Sequence, residues 1–355
     1  MIEDEMILFF MVFQAISFYI FNNKVTLNGH IMPDKKENFL PSSVWPDQDS
    51  AHAAVIDLID ACNLRCPECV RGSRTMKNSS GKMDLELFKR ICSKLIKEGI
   101  DKVYLYNWTE PFLNRDIASF IRVAKFFGLK TVISSNFSVC NAPIQEAFGA
   151  GLDELIVSVS GFSNKIQQIY HRGSNVEVVK NNLRLVGSNK EFVSKTKIKY
   201  LLFDYNQNES FLMCQFAKML GMHFFVTKAC GDPLKCKNVA KTSVTFKEKR
   251  SVIIDDVENV EYIRYVAERF SAKDGHMCLV GISPTIDFMG NVYLCCDRPN
   301  LKVFHLGKYL EMSVEEMLLK KYLHPECKNC TSTKFCKLSV PQEAAMMNAL
   351  FKPGV

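Results

Sequence analysis

The chain has 355 residues, of which 47% are hydrophobic and 23% charged, with a formal net charge of +7. That balance predicts packed globular structure of about two domains, although a barrel of roughly 200–250 residues counts as one. Spread over this length, the charge permits an anionic substrate and argues against a nucleic-acid partner.

An N-terminal extension, residues 1–50, opens on the apolar run MILFFMVFQAISFYIF (6–21). The run falls short of the ~20 residues that a spanning helix needs. Glu3, Asp4 and Glu5 precede it and Lys24, Lys35 and Lys36 follow, the reverse of a secretory leader. Two readings stand: a segment packed on the body, or a membrane contact that leaves the rest of the chain on the cytoplasmic side. Residues 22–50, with Pro33, Pro41 and Pro46, read as a linker.

From residue 51 a rhythm begins. Strands are predicted at 53–60, 101–107, 129–136, 154–161, 197–204 and 222–230. Helices are predicted at 83–99, 117–128, 142–151, 175–187 and 209–221, several closed by a glycine. Alternation of this kind predicts parallel strands with helices outside them. The expected fold is α/β, a partial (β/α)6 TIM-like barrel over 51–232, with its chemistry at the carboxyl ends of the strands. The lysine-rich stretch 235–250 lies in a connector, 233–270. A small C-terminal domain over 271–340 and a tail over 341–355 complete the division.

Fourteen cysteines is a high count. Without a secretory leader, a reducing cytoplasm is expected, where clustered cysteines read as metal-binding or catalytic. CNLRCPEC (62–69) follows the first strand and offers Cys62, Cys66 and Cys69 at C-x3-C-x2-C spacing. Three thiolates can hold three irons of a cubane and leave the fourth iron open. A zinc site is the competing reading.

This motif, so placed, resembles that of the radical S-adenosylmethionine enzymes, and the CNLRCP context resembles their branch with a C-terminal auxiliary-cluster domain. The resemblance spans about residues 52–340. It implies a 4Fe–4S cluster on Cys62, Cys66 and Cys69 whose open iron is chelated by S-adenosylmethionine. Reductive cleavage would give a 5′-deoxyadenosyl radical that removes a hydrogen atom from substrate. A reductant such as flavodoxin or ferredoxin is implied. Glu68 stands where relatives carry an aromatic residue near the adenine.

The resemblance also suggests cofactor-binding residues. YNWTEP (106–111) is similar to the family's Gly-Gly-Glu-Pro segment. Glu110 and Pro111 match, while Trp108 and Thr109 replace the glycines. Glu110 would meet the cofactor's amino group; the plainer reading is a helix N-terminal acid. Ser135 and Asn136 would meet the ribose, or simply form a turn. Ser158 and Ser160 end the fourth strand, Ser160 where an acid is usual. Arg172, in YHRG (170–173), would pair with the cofactor carboxylate or lie on the surface. His171 reads as a surface residue.

A second cysteine group resembles that of the SPASM domain and its shorter relative, the twitch domain. It includes Cys278, Cys295, Cys327, Cys330 and Cys336, with Cys296 a substitute. IDFMGNVYLC (286–295) reads as a hairpin around Gly-Asn, and SVEEMLL (313–319) as a short helix. Val340 occupies the place of a further cysteine, so one auxiliary 4Fe–4S cluster is expected; a structural zinc is the other reading. Cys92, Cys140, Cys214, Cys230 and Cys236 lack cluster spacing and read as buried hydrophobes or bystanders.

Two substrates fit such an enzyme: a small polar molecule, sugar- or alcohol-like, which the auxiliary cluster could help to oxidise, or a peptide to be modified. Residues 1–50 show no peptide-recognition pattern, which favours the small molecule. A scaffold that binds zinc or a cluster without catalysis is the third reading.

Overall fold

The computed structural model describes residues 53–67, 69–73, 75–228, 276–278, 283–296, 298–328 and 337–339. The extension 1–50 with its apolar run, Glu68, the connector 233–270, Cys230, Cys236, Cys330, Cys336, Val340 and the tail 341–355 lie outside them.

Six strands alternate with helices as the periodicity predicts. They are β1 (Ala53–Ile56), β2 (Lys102–Tyr104), β3 (Lys130–Ser135), β4 (Glu154–Val159), β5 (Thr196–Leu202) and β6 (His223–Lys228). Each pairs in parallel with the next. Helix α1 (Leu85–Lys97) joins β1 to β2. The Asp84 side chain caps it by accepting from the Leu87 N–H, and it buries Phe88, Ile91, Cys92 and Leu95 at helical spacing. Helices α2 (Ile117–Phe126) and α3 (Ile144–Gly149) make the next two crossovers. Gly128, at φ +81°, reverses the chain from α2 into β3, a conformation that glycine adopts without a Cβ clash.

Two elements escape the periodic pattern. Between β4 and β5, α4 (Asn164–Tyr170) precedes α5 (Val176–Gly187), and α6 (Lys190–Ser194) follows it. Both α4 and α6 are too short to show an apolar stripe. Each is announced by a cap instead: Ser163 accepts from the Ile166 N–H, and Asn189 from the Glu191 and Phe192 N–H groups. Helix α7 (Gln207–Met219) leads into β6.

The C-terminal part joins the same sheet. After the short strand β7 (His276–Cys278) come β8 (Thr285–Ile286), β9 (Asn291–Tyr293) and β10 (His305–Lys308), and the nine-stranded order is β10-β9-β8-β1-β2-β3-β4-β5-β6. β8 runs parallel to β1, with Val55 opposite Thr285, while β9 runs antiparallel to both β8 and β10. The β8–β9 turn is the expected Gly-Asn hairpin. Gly290 has φ +75°, and the Asp287 carboxylate accepts from the Met289 and Asn291 N–H groups, both at 2.9 Å. Helix α8 (Val314–Leu323) begins at the Ser313 cap where SVEEMLL predicts it, followed by α9 (Pro325–Lys328). β7 pairs antiparallel with β11 (Lys337–Ser339) in a separate two-stranded sheet.

The two faces of the main sheet differ. Alternate strand residues such as Ile56, Leu105, Ile133, Leu155, Val157 and Ile198 pack with the helices into the large core. The other face carries a small cluster: Ala53, Tyr104, Val132, Ile156 and Phe225, with Val55 and Tyr106 against it. No helix among the described residues is long and apolar enough to cross a membrane.

Candidate active site

The strand β1 stops at Ile56, shorter than predicted, because the next residue turns to the neighbouring loop. Asp57 accepts from the N–H groups of Asn107 (2.9 Å) and Trp108 (3.3 Å) and from the Thr109 hydroxyl. One carboxylate thus gathers the backbone of the segment that precedes Glu110. Burial pushes its carboxyl up from 3.8 to about 6, against the pull of these donors. An acid at the end of a strand is the sole sequence signal for this role.

The cysteine loop follows at once. Cys62, Cys66 and Cys69 are all half-buried, and the loop lines a cavity of about 620 Å³ with Asn63, Arg65, Arg71 and Asn78. Asn78 fixes the loop's start, donating to the Cys62 carbonyl at 2.8 Å and accepting from its N–H at 3.2 Å. Arg71 donates to the carbonyls of Lys77 (2.9 Å) and Asp60 (3.2 Å) and pairs with the Asp60 carboxylate. Burial and the neighbouring sulfurs push the Cys66 thiol up, and burial followed by Glu110 holds Cys62 up at about 12. Two cations work the other way, Arg71 at Cys62 and Arg172 at Cys66.

Glu110 is 2% exposed and sits between this loop and β3. Its N–H donates to the Ala61 carbonyl at 2.9 Å, next to Cys62. Its carboxylate accepts from the Ser135 hydroxyl (2.7 Å), the Asn136 N–H (2.9 Å) and the Phe112 N–H (3.2 Å). Burial pushes its carboxyl up to about 7. Asn136 continues the chain of contacts, donating to Asn63 Oδ1 at 2.9 Å and lying 3.9 Å from Cys62 Sγ. Four expected site residues, Cys62, Glu110, Ser135 and Asn136, therefore form one connected network. The Ser135 hydroxyl is engaged within it, since it also accepts from the Phe137 N–H.

The end of β4 is arranged differently from expectation. Ser160 is fully buried, and its hydroxyl lies 2.7 Å from His171 Nδ1 and 3.3 Å from the Gln167 carbonyl. His171 is 4% exposed, not a surface residue, and burial lowers its pKa to about 3, which keeps it neutral. The YHRG segment folds inward here because α4 ends at Tyr170 and His171 turns back to cap the β4 end. Arg172 is exposed, and its carbonyl accepts from the Arg65 N–H of the cysteine loop at 2.9 Å. Ser158 is half-buried on the face opposite the helices.

Of the second cysteine group, Cys295 and Cys296 follow β9 and are half-buried, Cys278 ends β7, and Cys327 lies in α9. The loop after β9 reaches the Glu110 segment: Trp108 Nε1 donates to the Arg298 carbonyl at 3.2 Å. With the Asn107 amide turned to satisfy its neighbours, its nitrogen donates to the Cys296 carbonyl at 3.2 Å. Of the five isolated cysteines, Cys92 is buried, Cys214 half-buried and Cys140 exposed.

Residues 56–211 match the model of the radical SAM superfamily. The match covers 156 residues, less than half of the chain. With it the chain stands among enzymes of radical chemistry. The GTP 3′,8-cyclase of Aquifex aeolicus is 27% identical over 176 residues, 47% of this chain and 53% of that protein. That of Synechocystis sp. is 24% identical over 196 residues, 54% of this chain and 58% of that protein. The cyclase of Rhizobium etli is matched over 38% of its length, so the chain spans about half, or less, of the curated relatives it matches. Among solved structures, Streptococcus suis SuiB bound to precursor peptide SuiA superposes with a TM-score of 0.54, at 15% identity over 79% of this chain and 66% of that one. Native anSMEcpe with bound AdoMet gives 0.52, at 13% identity over 80% and 87%.

These likenesses correct one expectation. The small-molecule substrate was favoured over a peptide because residues 1–50 lack a recognition pattern. A structure of the same fold is bound to a precursor peptide, and the sequence relatives are named for a nucleotide. The pattern of an N-terminal extension therefore does not decide between them, and a sugar-like substrate has no support.

Proposed function

We propose that the chain binds S-adenosylmethionine at a 4Fe–4S cluster on Cys62, Cys66 and Cys69 and uses it to start a radical reaction. The observation that carries this reading is the network from Cys62 through Asn136 to Glu110 and Ser135, which ties the cysteine loop to the carboxyl ends of β2 and β3. The donor set fits the cluster. Three thiols share one short loop, and although burial holds Cys62 and Cys66 in the thiol form, a bound metal ion would displace their protons. When bound on Cys62, Cys66 and Cys69, the cluster would supply one-electron reduction of S-adenosylmethionine, the chemistry that starts a radical reaction.

The chain's own residues bind and orient. Asp57 holds the 107–109 backbone and so sets Glu110 in place. Glu110 would hold the cofactor's amino group, Asn136 the ribose with Ser135 behind it, and Ser158 and Arg172 the carboxylate. Ser160 acts through His171 by fixing the turn that carries Arg172. The parallel strands β1 to β6 read as a partial barrel, open where β8 to β10 extend the sheet. An auxiliary 4Fe–4S cluster in a SPASM- or twitch-like region over 271–340 is part of the same reading. Its support is register: Cys278 lies opposite Lys337, the residue after Cys336.

The test is iron and acid-labile sulfide per chain after anaerobic reconstitution, wild type against a Cys62/Cys66/Cys69→Ala triple variant. About eight irons falling to about four is expected, with 5′-deoxyadenosine formed by the wild type alone. Retained zinc and little iron in both proteins would sink the reading.

A further inference from the structure

β5 carries a lysine that has no counterion among the described residues, on the face opposite the helices. Lys199 is in register with Ser158 of β4 on one side and Phe225 of β6 on the other. Residues paired in register share a face, and Phe225 belongs to the small cluster with Tyr104, Val132 and Ile156. Lys199 therefore points away from the helices, among apolar and hydroxyl side chains.

Among the described residues, the nearby acids are engaged elsewhere. Lys197, two residues earlier on the same face, is matched by Glu154 at 2.9 Å. Asp57 is engaged by the 107–109 backbone, and Glu110 by Ser135 and Asn136. Glu209 accepts from the Phe162 and Ser163 N–H groups and the Ser163 hydroxyl. His171, the other titratable group that feels Lys199, is neutral and holds Ser160. Among the described residues nothing pairs with Lys199, and burial lowers its pKa. A half-buried ammonium is costly without an oxyanion partner.

We propose that Lys199 is a substrate-binding residue that receives an oxyanion group, a phosphate or a carboxylate, of the molecule on which the radical acts. This rests on the proposed function, since it places the substrate on the face next to the cofactor. Phe225, opposite it, and Ile156 belong to the apolar cluster of this face, so an anion there would meet the ammonium at reduced dielectric.

The experiment uses the full-length, reconstituted protein holding S-adenosylmethionine, titrated by calorimetry with inorganic pyrophosphate and, separately, with glutarate. The wild type is expected to bind one of them. Preference for pyrophosphate assigns a phosphate, and preference for glutarate a carboxylate. Lys199→Met should weaken that binding about tenfold or more, and Lys199→Arg should retain it, which shows that the strand tolerates substitution. Failure of the wild type to bind either anion overturns the proposal, as does Lys199→Met binding as tightly as wild type. Weakening of S-adenosylmethionine itself by about tenfold in Lys199→Met also overturns it, because the lysine would then serve the cofactor. Formation of 5′-deoxyadenosine by the wild type is measured on the same sample. Its absence would sink the radical reading and leave the anion result to stand or fall alone.

Discussion

Gly72 packs directly on Cys66: a Cβ at Gly72 would fall 1.8 Å from the Cys66 carbonyl oxygen and 2.5 Å from its nitrogen. Backbone cannot yield like the end of a side chain, so the loop has room for a hydrogen alone. Gly72→Ala should push Cys66 out of line with Cys62 and Cys69. The expected outcome is loss of about four irons per chain after reconstitution, with an unchanged far-ultraviolet circular dichroism spectrum. A full iron complement in the variant would show that the loop relaxes freely.

Asp57 should leave a mark on the pH dependence of stability. Its folded pKa, about 6, lies above the ordinary 3.8, so the fold disfavours its ionised form. This carboxyl's contribution is greatest below the unfolded value and is lost as pH rises through about 6. In Asp57→Asn, the decline in unfolding free energy between about pH 4 and pH 7 should shrink by on the order of 1–3 kcal/mol. Urea unfolding of the two proteins across that range checks it. Glu110, raised to about 7, keeps its own share of the decline in both.

Ser160→Ala removes the hydroxyl that meets His171 and leaves a buried imidazole nitrogen without its partner. A loss of about 1–3 kcal/mol is expected in denaturant unfolding. Arg172 follows this turn directly, so the affinity for S-adenosylmethionine should fall as well. Unchanged stability would mean that water replaces the hydroxyl.

Trp108→Phe keeps the ring's bulk and deletes the indole donor to Arg298. It should cost about 0.5–1.5 kcal/mol in thermal unfolding. The larger effect is expected on the loop after β9, read as faster amide exchange at Arg298 and Asn300.

The alternating units from β1 to β6 were legible because each carries its own periodicity and punctuation, as in α1 with its Asp84 cap and buried Phe88, Ile91 and Leu95. The hairpin at Gly290 was legible for the same local reason. The partnership of β8 with β1 was not, because two residues of strand have no pattern that names a distant partner. The site divides in the same way. Cys62, Cys66, Cys69 and Glu110 stand in motifs whose spacing is chemical information. Asp57 gains its role from the 107–109 backbone some fifty residues on, and no short window of sequence contains both; His171 and Ser160 stand eleven residues apart, but only the fold of α4 brings them together.

The pairing of Val55 with Thr285 bears on how the chain is made. β1 emerges from the ribosome before β2 to β6, yet one of its two edges must wait for β8, which follows them all. Until then, a nearly complete parallel sheet presents open backbone donors and acceptors, the kind of edge that invites aggregation. A version of the protein cut after β6 would keep that exposed edge permanently, so the C-terminal part shields the first strand whatever else it binds.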